Sequence, residues 1–139
     1  MATIERFEDI EAWKVARALT QQVYQVSQRG EFARDYGLRD QMRRAAVSIM
    51  SNIAEGFESR TTALFVDYLG RAKGSAGELR AQLYVALDAG YISQEEFNRL
   101  KSEAALCSRL VSRFISYLDA QPNARRTRES AAEYEISVP

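Results

Sequence analysis

The sequence predicts an all-α protein, a single four-helix bundle in up-down-up-down order. Three observations carry that expectation. The only two prolines, Pro122 and Pro139, lie outside the region that reads as packed, so nothing there breaks a helix. Apolar residues recur at alternating spacings of three and four along successive segments, as in a bundle seam. Strand-like runs are scarce, and the connections between periodic segments are short.

The first helix is expected from near Asp9 to about Arg29. Ala12, Ala16, Leu19, Val23 and Val26 form its seam, and Trp13 and Tyr24 widen the stripe. The acids Glu8, Asp9 and Glu11 suit the positive end of the helix dipole. Gly30 reads as a stop, and the segment through Tyr36 and Gly37 as a connection. A second helix follows from about Leu38 to Glu55, with Gly56 as its C-terminal stop. The third opens at Thr61 or Thr62, holds Phe65, Leu69, Ala72, Ala76, Leu79, Leu83 and Ala86 on one face, and ends at Gly90. Ser93-Gln94-Glu95-Glu96 has the form of a capping box and starts the fourth. Its seam is Phe97, Leu100, Ala104, Cys107, Val111, Phe114 and Leu118, which makes Cys107 a small buried hydrophobe rather than a reactive thiol. The bundle is thus assigned to residues 1–120 and a polar tail to 121–139, where Arg125, Arg126 and Arg128 precede Glu129, Glu133 and Glu135. Tyr134, Ile136 and Val138 are the tail residues expected to dock, on a neighbouring subunit for example.

The totals limit the function classes. A chain of 139 residues buries enough surface to fold without disulfides, and its single cysteine forms none internally. The first residues lack a secretory pattern and no apolar run reaches the ~18 to 20 residues of a membrane span, so a cytoplasmic location without membrane contact is expected. Nineteen basic residues balance 19 acidic ones, which weighs against nucleic-acid binding through bulk charge. Sixteen of the bases are arginine and 3 are lysine. Arginine suits ion pairs, interfaces and phosphate, although a codon bias yields the same count. Without histidine the chain has no Glu-x-x-His metal pair or haem attachment site, and it contains no phosphate loop. No enzyme, cofactor or metal site is expected.

The second helix carries more apolar surface than one bundle needs. Met42, Ala45, Ile49 and Ile53 centre its core face. Arg44, Ser48, Ser51, Asn52 and Glu55 form a polar stripe, while Val47, Met50 and Ala54 beside Arg43 make a second apolar arc. Together the apolar positions span about 200°, against the roughly 100° that a surface helix buries. An excess of that size either sits at the centre of its own bundle or faces a partner, and on the second reading Val47, Met50 and Ala54 are candidates for an interface between subunits. The polar stripe is either a set of ordinary solvated side chains or part of a network of Arg44, Asn52, Glu55 and Glu78, with Arg44 paired to Glu78 or to a neighbour's Glu55. Gly70, Gly74, Ser75 and Gly77 imply close approach by another backbone, from a second subunit or from Trp13 or Phe57 of the same bundle.

The run from Gln41-Met42-Arg43-Arg44 through Ser48-Ile49-Met50-Ser51-Asn52-Ile53-Ala54-Glu55-Gly56-Phe57 resembles the signature of a bacterial family of small bundle proteins. The family takes its name from reading frames in intervening sequences of 23S ribosomal RNA genes. Segments Phe7 to Ala16, Ala72 to Leu79 and Leu87 to Ile92 agree with it, and the likeness covers about residues 7 to 120. It implies a four-helix bundle that often assembles as a ring of five. Related proteins include the accessory variability protein of diversity-generating retroelements, a basic pentamer that binds nucleic acid and partners a reverse transcriptase. This chain departs from that relative in being neutral overall. The resemblance points to a ring-like homo-oligomer that binds RNA or DNA, or a nucleic-acid enzyme, with Arg39, Arg43, Arg71 and Arg80 as candidate contacts. The alternative is a protein-interaction scaffold without nucleic-acid affinity.

Overall fold

Three of the long helices begin where a side chain accepts an orphan backbone N–H. The computed structural model describes residues 4–120 and Tyr134. Among them are five α-helices and no strand: α1 (Glu11–Ser27), α2 (Gly30–Arg34), α3 (Tyr36–Phe57), α4 (Thr62–Asp88) and α5 (Gln94–Asp119), after a short 3-10 turn at Phe7–Asp9. Asp35 caps α3 by accepting from Leu38 N, and Thr61 caps α4 by accepting from Leu64 N. Ser93 and Glu96 close the expected capping box at the start of α5.

The four long helices pack in a closed circuit, α1 beside α3 and α5, and α4 beside α3 and α5. Contacts from α1 to α5 run Ala12 to Cys107, Gln22 to Glu103 and Arg29 to Glu96, so these two helices are antiparallel. Short connections make α3/α4 and α4/α5 antiparallel as well, giving the up-down-up-down order that the seams imply. Every predicted seam residue of the four long helices is buried. Ile10 and Phe32 extend the core beyond those seams.

The structure corrects three local expectations. Gly30 does not simply end a helix: with φ of 46° it turns the chain into α2. That short helix buries Phe32, whose ring stacks on Tyr91 at 5.0 Å. Gly56 is not a stop either, since α3 runs through it to Phe57. A Cβ there would lie 2.8 Å from the Phe65 ring and 2.9 Å from Tyr68 Cβ, so Gly56 is where α3 and α4 approach most closely among the glycines. Gly70 and Gly74 have nothing within 4 Å of such a Cβ, so they make no room for Trp13 or Phe57.

Of the tail, all but Tyr134 lies outside the described residues, including Ile136 and Val138. Tyr134 is buried on its own bundle, stacked on Phe114 at 4.5 Å. No helix among the described residues is long and apolar enough to cross a membrane.

The α5 cap also ties α5 to α1. Arg29 grips Glu96 through two hydrogen bonds of 2.7 and 2.9 Å. These bonds and the Ser93 backbone N–H hold the Glu96 carboxyl down at about 2. A carboxylate so lowered stabilises the fold above its unfolded value near 4.5 and loses that contribution as pH falls through about 2. Glu96→Gln is thus expected to lower stability at neutral pH by up to about 1 kcal/mol. Urea melts should show the gap narrowing below pH 4.5 and closing near pH 2. An unchanged gap at the acid end contradicts the pairing.

Candidate anion-binding groove

Two flanks of the bundle treat charge differently. Between α1 and α5, acids meet their partners: Arg29 pairs with Glu96, and Gln22 donates to Glu103 at 2.6 Å while accepting from Arg99 at 2.9 Å. Between α4 and α5 the pattern is one-sided. Lys73 and Arg80 sit seven residues apart on α4, nearly two full turns, and so share one flank. On α5 the sequence Ser108-Arg109-Leu110-Val111-Ser112-Arg113 repeats a Ser-Arg pair at a spacing of four, which stacks the pairs along one side. Lys101 donates to Tyr84 Oη at 2.8 Å and fixes the antiparallel register of the two helices.

The result is a groove of about 450 Å³ lined by Lys73, Arg80, Ala105, Ser108, Arg109, Ser112 and Arg113. Its cause is local. Small side chains at Ala105, Ser108 and Ser112 leave a trough that long basic side chains border. Among the described residues, four cations line it and no carboxylate does. None of the four has an ion pair among the described residues. Two of the lining residues carry a buried polar atom, Arg80 Nε and Ser108 Oγ, that has no hydrogen-bond partner among the described residues. A serine inside a helix often bonds back to the carbonyl four residues earlier, as Thr20 does to Ala16 at 2.8 Å. Ser108 is only 8% exposed and makes no such bond. A second depression of about 610 Å³, lined by Arg6, Trp13, Lys14 and Arg17, includes Glu8, whose carboxylate lies 4.0 Å from Arg6.

Of the four arginines singled out from the sequence, only Arg80 lines the α4/α5 groove. Arg39 is held by Asp40 and the Ala33 carbonyl and lies over Tyr36 at 4.8 Å. Arg43 donates to Ser27 Oγ at 2.8 Å and covers Tyr24. Arg71 lies over Tyr68 at 5.0 Å. Lys73, Arg109 and Arg113 were not singled out. The signal that finds them is the repeated Ser-Arg pair opposite basic residues seven apart on the neighbouring helix.

The other candidates separate as well. Asn52 donates to Ser48 at 2.8 and 3.0 Å, and Ser48 meets Ser75 Oγ at 2.8 Å, so hydroxyls and an amide link α3 to α4. Arg44, Glu55 and Glu78 are exposed and form no ion pair within the described chain. Val47 is 38% exposed, whereas Met50 and Ala54 are half-buried and Met50 packs on the protein's own core. Cys107 is fully buried, and burial pushes its thiol up to about 12, so it stays protonated at neutral pH.

The model of the 23S rRNA-intervening sequence protein family matches residues 8–113. The chain belongs to that family. No curated protein matches it. Its fold is similar to the crystal structure of a protein of unknown function from the S23 ribosomal protein family of Bacteroides thetaiotaomicron. The two agree with a TM-score of 0.69 at 19% identity, over 75% of this chain and 97% of the other. At that identity the likeness speaks for the bundle alone. The family match covers all of α1 to α4 and most of α5, including every residue of the groove.

Proposed function

We propose that this member of the 23S rRNA-intervening sequence protein family binds nucleic acid, acting by binding rather than by catalysis, with the α4/α5 groove as its contact surface. The observation that carries this reading is the groove's one-sided charge: four cations, with no carboxylate and no ion pair among the described residues. A neutral chain does not attract a polyanion through its net charge, but a locally unmatched basic surface does. The family's printed name, which ties its members to 23S rRNA intervening sequences, is consistent with a nucleic-acid partner. Anisotropy of a labelled single-stranded RNA, titrated with protein at low salt, tests it. Saturable binding is expected. No binding even at ~50 mM salt, where phosphate contacts are strongest, sinks the reading. Capture of a protein partner without any nucleic-acid affinity favours a scaffold instead.

Self-association is the second part of the proposal. Gly70 and Gly74 each cost about 1 kcal/mol relative to alanine inside α4. None of the described residues occupies the space beside them. Val85 on α4 and Val47 on α3 add exposed apolar surface. A neighbouring copy packed against these residues accounts for both features, and a ring of five is the form that the family resemblance implies. Light scattering that returns the monomer mass of 15.7 kDa at micromolar concentration contradicts it.

A further inference from the structure

The groove has a feature that bulk charge does not require. A polyanion is attracted by any cluster of exposed cations, and Lys73, Arg109 and Arg113 are exposed. Arg80 and Ser108 differ from them: both line the same groove, and each carries a polar atom out of solvent with no hydrogen-bond partner among the described residues. A buried polar group left without a partner costs on the order of 1–3 kcal/mol, and native proteins rarely carry one without a reason. The two groups are complementary to a single kind of ligand. An arginine Nε–H and a serine hydroxyl are both donors, and the surrounding cations favour an anion. Small residues at Ala105 and Ser112 leave space next to them. A ligand with several oxygens and at least one negative charge satisfies the set.

We propose that the floor of the α4/α5 groove is a seat for one phosphate group. Arg80 Nε–H and the Ser108 hydroxyl donate to its oxygens, while Lys73, Arg109 and Arg113 at the rim are placed for the neighbouring phosphates of a bound strand. Both floor atoms are shielded from bulk water, so seating the phosphate involves a shift of the long side chains around them. The exposed ends of Lys73, Arg109 and Arg113 are free to make it. The seat rests on the nucleic-acid reading only for the source of the phosphate, a backbone phosphodiester; a free phosphate satisfies the same donors. The seat also ranks the groove's residues. Rim cations set affinity through charge, and floor donors act through geometry.

Two charge-neutral substitutions separate those contributions. Arg80→Lys keeps the cation and removes the Nε–H fork, and Ser108→Ala removes the hydroxyl with little change in volume. In one arm, inorganic phosphate at millimolar concentration is titrated into 15N-labelled protein. The Arg80 Nε–Hε resonance should shift saturably in the unsubstituted protein, and Ser108→Ala, which keeps that reporter, should weaken the response. In the other arm, labelled single-stranded RNA should bind about fivefold more weakly to Ser108→Ala, the loss expected for one hydrogen bond of about 1 kcal/mol, and at least as much more weakly to Arg80→Lys. A phosphate response with undiminished RNA binding by both variants keeps the seat and assigns it to free phosphate. A phosphate response in a protein that binds no RNA keeps the seat and removes the nucleic-acid reading. RNA binding that both variants retain in full, with no phosphate response at Arg80, overturns the seat and leaves the nucleic-acid reading standing. Thermal melts of both variants, expected to lie no lower than the unsubstituted protein's because each change removes an unpartnered buried donor, establish that a loss of binding is not a loss of fold.

Discussion

Gly56→Ala is expected to destabilise the protein by about 2 kcal/mol, although alanine is the better helix former. The new methyl group would stand 2.8 Å from Phe65 Cδ1 and 2.9 Å from Tyr68 Cβ. Neither neighbour can yield cheaply. Phe65 is fully buried and its ring is held edge-on by Phe57 at 6.4 Å and by Phe114 at 5.1 Å. Tyr68 Cβ is fixed to the α4 backbone. Relief therefore requires α3 and α4 to separate, which loosens the packing of Ile53 and Leu69 as well. Gly77→Ala is the matched control. Its Cβ would meet only Arg80 Nη2 at 3.8 Å, an ordinary contact, so the protein should gain up to about 1 kcal/mol from helix propensity alone. Urea midpoints of the two variants should move in opposite directions. A Gly56→Ala protein as stable as its parent contradicts the close approach of the two helices.

The second large effect concerns charge. If four phosphates are neutralised by Lys73, Arg80, Arg109 and Arg113, the logarithm of RNA affinity should fall with that of salt with a slope of about −2.8. Raising salt from ~50 to ~200 mM then weakens binding about 50-fold. Replacing Lys73, Arg109 and Arg113 by alanine should cut the slope to about −0.7 and abolish most of the low-salt affinity. These side chains are exposed and form no ion pair among the described residues, so the fold should survive the change.

The helices were legible because their signals are local. Phe65 through Ala86 repeat on one face of α4 whatever surrounds them, and Ser93 with Glu96 caps α5 using four consecutive residues. What the sequence hid depends on which helix flank meets which. Gly56 reads as a terminator until Phe65 and Tyr68 are seen beneath it. Phe32 is too isolated to show a period, yet Tyr91, far along the chain, gives it a stacking partner. The apolar arc on α3 fits either the protein's own bundle or a partner by sequence; in the fold Met50 packs on the protein's own core and Val47 is the large side chain there that stays exposed. The basic groove was hidden for the same reason. Arg39, Arg43 and Arg71 are as conspicuous in the sequence as Arg109 and Arg113, and only the α4/α5 pairing assembles one set while tyrosines cover the other.

The central claim is that unmatched cations of one groove, rather than arginine content in general, bind nucleic acid. The most direct test is the salt dependence of RNA affinity, measured side by side for the parent, for the Lys73→Ala/Arg109→Ala/Arg113→Ala protein and for an Arg39→Ala/Arg43→Ala/Arg71→Ala protein. The groove account predicts that the first triple substitution flattens the slope and that the second leaves it near the parent's. Equal losses in both, or a loss confined to the second, would contradict it.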